Sequence, residues 1–167
     1  MPGSSSWADA EDRGDRWVAA QFALMALTVV AAFLPLRWGA LAMLTSALGA
    51  ITGFLGAALA VWAWRTLGSS ATPFPQPREG GRLIDSGPYA YIRHPVYAGG
   101  FLFFLGLALA TSPVALLPLA ALAVLWRNKA ALEDELLASR YEEHRDYKAR
   151  VRGSFIPRTL TPADPGA

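Results

Sequence analysis

Gly87-Pro88-Tyr89-Ala90-Tyr91-Ile92-Arg93-His94-Pro95-Val96-Tyr97, continued without a formal charge as far as Trp126, is the stretch on which the reading of this chain turns. It sets an arginine, a histidine and three tyrosines directly against a membrane-grade apolar segment. Ionisable groups are costly to keep at that depth, and where they persist they mark sites. The stretch therefore points to a membrane protein whose chemistry sits at the bilayer surface.

Composition agrees. The 167 residues suit one domain, 1–167; 53% are hydrophobic and only 17% charged, against about 25% charged in ordinary soluble domains. Without cysteine there are no disulfides, thiolate nucleophiles or thiolate-bound metals. His94 and His144 are too few for an all-histidine metal site, so no metal is expected. The first sixteen residues are polar, and the apolar run after them is of spanning length, which is not the pattern of a cleaved signal peptide.

Outward from the opening stretch, the charges cut the chain into neutral runs at 17–36, 38–64 and 94–126. A spanning helix needs about 20 apolar residues, so each of the first two runs fits one crossing. As a single helix the third would be about 50 Å long at ~1.5 Å per residue, and Thr111-Ser112-Pro113 offers a break. The expected fold is therefore all-α: a polytopic membrane bundle of four transmembrane helices, the last two a short hairpin, with a cytoplasmic C-terminal helix. Residues 1–16 and 159–167 read as flexible arms and 65–158 as the functional core. On this topology all Lys and Arg except Arg37 fall on one side, which places both termini and the long loop in the cytoplasm of a multi-pass cell-membrane protein. Trp17, Trp38, Trp62, Trp64 and Trp126 fall near helix ends, as an interfacial aromatic belt requires. Gly49 and Gly53 form a small-xxx-small step in the second helix, read first as packing within the chain and second as a dimer face. The loop Ser69–Gly81, with Pro73, Pro75 and Pro77, reads as extended backbone.

Two polar clusters then share the cytoplasmic face, Arg82–Tyr97 before the third helix and Arg127–Pro157 after the fourth. A hairpin makes its two helices antiparallel neighbours, so both clusters meet at one interface and can wall a pocket. Proline is at home in the first turn of a helix, which puts His94 of Arg93-His94-Pro95 at an N-terminus that favours anions. The plainer alternative makes Arg93 an interfacial anchor and His94 a cap. Lys129 and Glu133, four apart, share a helix face. Either they are a surface pair worth a few tenths of a kcal/mol, or Glu133 grips a cationic or hydroxylated ligand while Lys129 faces an anionic one. The basic residues from Arg140 to Arg152 suit anionic headgroups.

Arg82-Leu83-Ile84-Asp85-Ser86-Gly87-Pro88-Tyr89, then Arg93-His94-Pro95-Val96-Tyr97-Ala98-Gly99, resembles the isoprenylcysteine carboxyl methyltransferase family. That family's pattern is Leu-Val-x-x-Gly-Pro-Tyr followed by Arg-His-Pro-x-Tyr-x-Gly. Glu133-Asp134, Tyr147, Arg150-Val151 and Phe155-Ile156-Pro157 extend the likeness over about residues 65–158. The resemblance implies an integral membrane methyltransferase that uses S-adenosylmethionine and acts on a lipophilic or prenylated acceptor. It implies that Arg82, Leu83 and Ile84 line the cofactor, that Tyr89, His94, Pro95 and Tyr97 hold it, and that Glu133 binds it from the opposite side. Lys129 and Arg93 would be the catalytic residues, with Lys129 toward the substrate. Lys129 stands where the eukaryotic members have arginine, Asp134 where the second glutamate is usual, and His144 where tyrosine is common. No strand-linked Gly-x-Gly-x-x-Gly loop is present, so a Rossmann-type cofactor site is not expected. The expected partners are membrane lipids and a lipophilic substrate, with no nucleic acid. The alternatives are an NADPH-dependent membrane reductase akin to sterol reductases and a non-catalytic lipid-binding protein.

Overall fold

The computed structural model describes residues 5–158, with side chains from residue 14 onward. Every regular element among them is helical: α1 (Ser5–Ala32), α2 (Ala42–Leu67), α3 (Pro95–Ala110), α4 (Leu116–Arg140) and α5 (His144–Arg150), with short 3-10 turns between. By length and composition, three segments can cross a membrane: 14–32 in α1, 39–70 around α2 and 113–140 around α4. The fourth expected crossing, α3, is apolar but has only 16 residues. That is about 24 Å at ~1.5 Å per residue, short of the ~30 Å hydrocarbon core.

The break at Thr111-Ser112-Pro113 is where expected. Ser112 Oγ accepts a bond from the Val114 N–H (3.4 Å), Pro113 opens a 3-10 turn, and α4 continues from Leu116. Two boundaries differ. Helix α1 begins at Ser5, so residues 5–16, expected in a flexible arm, are helical backbone. Helix α4 runs unbroken past Trp126 to Arg140, which puts Lys129, Glu133 and Asp134 on a spanning helix rather than after it. The rest of the expected arms, residues 1–4 and 159–167, lies outside the described residues.

The closest packing is α2 against α3, antiparallel, and it is backbone on backbone. A Cβ on Gly49 would come within 2.5 Å of Ala110 N and Gly106 O, one on Gly56 within 2.3 Å of Phe103 N, and one on Gly106 within 2.3 Å of Gly53 N. Only hydrogen fits there, and small residues are what let helices approach this closely in lipid. The glycine stripe therefore serves packing within the chain. A Cβ on Gly53 itself would meet nothing nearer than 3.7 Å, so Gly56 rather than Gly53 is the second tight point on α2. The opposite face of α2 is left bare, with Met43 91% and Phe54 74% exposed, as a lipid-facing helix requires. Helix α4 closes the bundle against α1 and α3 through Leu119, Leu122 and Trp126, which pack on Phe104, Tyr97, Leu24 and Met25.

Candidate functional site

Below this bundle the two polar segments meet. The tail after α5 pairs by backbone with the residues before α3: Arg93 N–H donates to Gly153 O (2.9 Å) and His94 N–H to Ser154 O (3.0 Å). The Arg93 guanidinium adds a bond to Val151 O (2.7 Å). Pro95 opens α3, so this segment is fixed immediately before the first turn. Tyr89 leaves a 3-10 turn that starts at Gly87, whose φ of 59° favours glycine. Its carbonyl accepts from Tyr147 of α5 (2.9 Å).

Glu133 and Asp134 are consecutive on α4, yet both reach His94. Glu133 Oε2 lies 3.5 Å from His94 Nδ1, and Asp134 Oδ1 lies 3.2 Å from Nε2. The Tyr97 hydroxyl donates to Glu133 Oε1. Asp134 also takes Arg93, with Nε at 3.2 Å and Nη2 at 3.1 Å from Oδ2, and lies 3.5 Å from Lys148 Nζ and 3.6 Å from His144 Nε2. Burial works against charge on His94, but the hydrogen bonds and charges of Asp134 and Glu133 outweigh it and hold its pKa above the ordinary value. His144 goes the other way. It is wholly buried, neither ring nitrogen has a hydrogen-bond partner among the described residues, and burial pushes its pKa down, with Asp134 opposing and Lys148, Arg93 and His94 adding to the fall. Burial raises the pKa values of Tyr89 and Tyr147, which therefore stay protonated at neutral pH.

Above this network is a cavity of about 330 Å³, within the ~300–1,000 Å³ usual for small-molecule sites. Of the residues singled out from the sequence, Arg82, Leu83 and Ile84 line it from the loop, and Tyr89, Arg93, His94 and Tyr97 from the segment entering α3. Lys129 and Glu133 line it from α4; Pro95 does not reach it. The structure thus brings the two motifs together on one volume. Lys129 is fully buried and bonded: Nζ donates to Gln21 Oε1 (2.9 Å) and to Pro73 O (2.6 Å) and lies 5.6 Å from the centre of the Tyr97 ring. It ties α1 and the proline loop to α4.

Sequence reasoning missed the part played by α1. Gln21, Phe22 and Met25 line the cavity, and Gln21 Oε1 also accepts from Trp126 Nε1 (3.1 Å). A lone amide inside the first apolar run was the available signal. Asp134, part of the Glu133-Asp134 pair in the sequence but given no site role there, is the centre of the charged network. Among the described residues no group of three or more His, Asp or Glu is arranged to hold a metal ion.

A second hollow, an apolar groove of about 700 Å³, lies on the far side of Tyr97, between α2, α3, α4 and the tail. Trp62, Phe101, Trp126, Phe155 and Ile156 line it, and Tyr97 belongs to both walls. The Tyr97 ring is stacked between His94 (centroids 5.9 Å apart) and Trp126 (5.7 Å).

A family model described as phospholipid methyltransferase matches residues 44–144, from the start of α2 to the start of α5. The chain is 39% identical over 83 residues to the cobalt-zinc-cadmium resistance protein CzcN of Cupriavidus metallidurans, covering 48% of this chain and 38% of that protein. It is 36% identical over 83 residues to the nickel-cobalt-cadmium resistance protein NccN of Alcaligenes xylosoxydans xylosoxydans, covering 48% of this chain and 38% of that protein. Each match therefore spans less than half of the relative's own length.

Proposed function

This chain belongs to the phospholipid methyltransferase family, a family of membrane methyltransferases, and from that premise we propose that it transfers a methyl group from S-adenosylmethionine to a lipophilic acceptor. An isoprenylcysteine-type carboxylate is one acceptor the proposal admits. The proposed setting is the cell membrane, with both termini and the polar cavity on the cytoplasmic side.

One observation carries the reading: a cavity into whose wall Arg82, His94, Lys129 and Glu133 bring charge and hydrogen-bonding groups and an apolar groove share a single wall, Tyr97. Such an arrangement suits a water-soluble donor on one side and a bilayer-borne acceptor on the other. The cavity residues fit the donor. The Glu133 carboxylate offers an anionic partner for an amino group, and the Tyr89 ring in the cavity wall offers a π-surface to a sulfonium or an adenine ring. When bound, S-adenosylmethionine supplies a methyl group already activated on sulfur.

The chain's own task is then binding and alignment, which in water-excluding sites supplies a large share of rate acceleration. Glu133 is held by the Tyr97 hydroxyl and His94, so its carboxylate is oriented before any ligand arrives. His94 is in turn fixed by Asp134 from behind and by the bond of its own N–H to Ser154 O. Arg93, engaged by Asp134 and Val151 O, holds the segment that carries His94, so in this proposal it positions rather than contacts. Lys129 has two of its three donors occupied and keeps one for the cavity it lines. The proline loop and α1 complete the cavity wall through Pro73, Pro75, Gln21 and Met25.

Calorimetry in detergent with S-adenosylhomocysteine and, separately, NADPH tests the reading. The expected result is saturable heat with the first alone. Heat with NADPH alone, or with neither, overturns it.

A further inference from the structure

We propose that Arg127 is the residue by which the apolar groove selects its occupant, and that the occupant is a single-chain lipid bearing a negative charge beside its hydrocarbon. The inference rests on the acceptor reading above and deepens it. It departs from the expectation that Lys129 meets the anionic part of the substrate.

The charges decide between the two cations. Lys129 lines the polar cavity, is fully buried, and already bonds Gln21 and the Pro73 carbonyl. It is absent from the groove wall. Arg127, two residues earlier on α4, is among the described residues the one charged side chain lining the groove. It is exposed and has no ion-pair or hydrogen-bond partner among the described residues. Its neighbours in that wall include Trp62, Trp126, Phe155 and Pro157. A guanidinium beside an apolar slot is two complementary halves of one amphiphile site. The slot takes the chain, and the planar fork takes a carboxylate or phosphate oxygen pair. Apolar walls on the groove side lower the local dielectric, which strengthens the attraction relative to open water. A neutral amphiphile would fill the same slot and leave the guanidinium unmatched.

The simpler alternative is that Arg127 rests against any anionic headgroup at the interface. The two differ in whether one bound chain is preferred for its charge in the absence of a bilayer. Native mass spectrometry of the delipidated protein in neutral detergent, titrated with oleate and with oleyl alcohol, measures this. Wild type is expected to take one oleate with about three- to tenfold preference over the alcohol, a surface ion pair setting the lower figure and a charge-assisted bond the upper. Arg127→Gln is expected to erase the preference while still binding the alcohol. Arg145→Gln, which removes a charge of the same rim outside the groove, is expected to keep it. Equal binding of both probes by wild type, a preference surviving in Arg127→Gln, or an equal loss in Arg145→Gln overturns the assignment. S-adenosylhomocysteine affinity on the same samples separates the two readings. An Arg127-dependent preference without adenosyl binding sinks the methyl-transfer reading alone. Adenosyl binding without the preference sinks this inference alone.

Discussion

Replacing Asp134 by asparagine removes one charge and almost no volume, yet it strikes the point where Arg93, His94 and Lys148 meet. Asp134 is 6% exposed. It takes the Arg93 guanidinium through Nε (3.2 Å) and Nη2 (3.1 Å) and His94 Nε2 at 3.2 Å. In Asp134→Asn the amide keeps one acceptor and turns an NH2 group toward a donor, so a buried guanidinium loses its counter-charge. Breaking one side of a buried ion pair costs about 3–5 kcal/mol. Arg93 retains Val151 O at 2.7 Å, so the lower end, ~3 kcal/mol, is the working figure. For a chain of this size ~1 kcal/mol moves Tm by about 2–4 °C, giving a fall of about 6–12 °C. The assay is thermal unfolding in detergent followed by tryptophan fluorescence. Asp85→Asn is the internal reference. Asp85 pairs with Arg150 at 3.1 Å, but its side chain is 33% exposed, and such pairs contribute about 1 kcal/mol or less. If Asp134→Asn melts no lower than Asp85→Asn, the buried network does not hold the site together and the reasoning fails. A further check is Arg93→Leu combined with Asp134→Leu. Removing both charges leaves none stranded, so the double variant is expected to lose less than the sum of the two single variants.

Gly106→Ala is expected to destabilise by about 1–3 kcal/mol through overpacking, because its new Cβ would lie 2.3 Å from Gly53 N. Gly53→Ala, with 3.7 Å of room, should be tolerated, and equal Tm values for the two would refute the backbone seam. The two histidines give opposite limbs to stability against pH. His94, with its folded pKa raised, contributes stability present below its ordinary 6.5 and lost as pH rises through the raised value. His144, with its folded pKa lowered, lets the unfolded chain take the proton first, so stability falls as pH drops through 6.5. His144→Phe is expected to flatten the fall of Tm between about pH 7 and 5.5, where an unpaired histidine of ordinary pKa ≈ 6.5 titrates; an unchanged slope counts against the burial argument. Lys129→Met is expected to weaken adenosyl binding, since Lys129 lines that cavity, and to speed proteolysis within the 69–81 loop that Pro73 anchors. Unchanged adenosyl affinity together with unchanged proteolysis would show that Lys129 neither meets the donor nor anchors the loop.

The features legible in the sequence obeyed local rules. The neutral runs predicted the helices, and Thr111-Ser112-Pro113 marked the break because proline cannot continue α3 and serine caps the turn that leads into α4. The convergence of Arg93-His94 with Glu133 came from one hairpin and is found at 3.5 Å. The rest lay in contacts without periodicity. The tail's bonds from Gly153 and Ser154 to Arg93 and His94 join backbone atoms sixty residues apart, and no side-chain pattern encodes them. That α3 leans most closely on α2 rather than on its hairpin partner depends on glycines at Gly49, Gly56, Gly99 and Gly106 facing one another. Each helix shows its half of that match, and only the assembled pair shows the fit. The length of α4 was masked by its charges, since Lys129 and Asp134 look like the end of a span until Gln21 and Pro73 are seen to accept from Lys129 and Arg93 to pair with Asp134.

The affinity of Glu133→Gln for S-adenosylhomocysteine tests the central claim most directly, since this one carboxylate is held by α3 on one side and faces the shared cavity on the other. A charge-assisted bond contributes about 1.5–3 kcal/mol, so the Kd is expected to rise about tenfold or more while the thermal transition of the ligand-free protein stays cooperative. Unchanged affinity in a folded Glu133→Gln protein would contradict the account, because the donor would then be bound somewhere other than between His94, Tyr97 and α4.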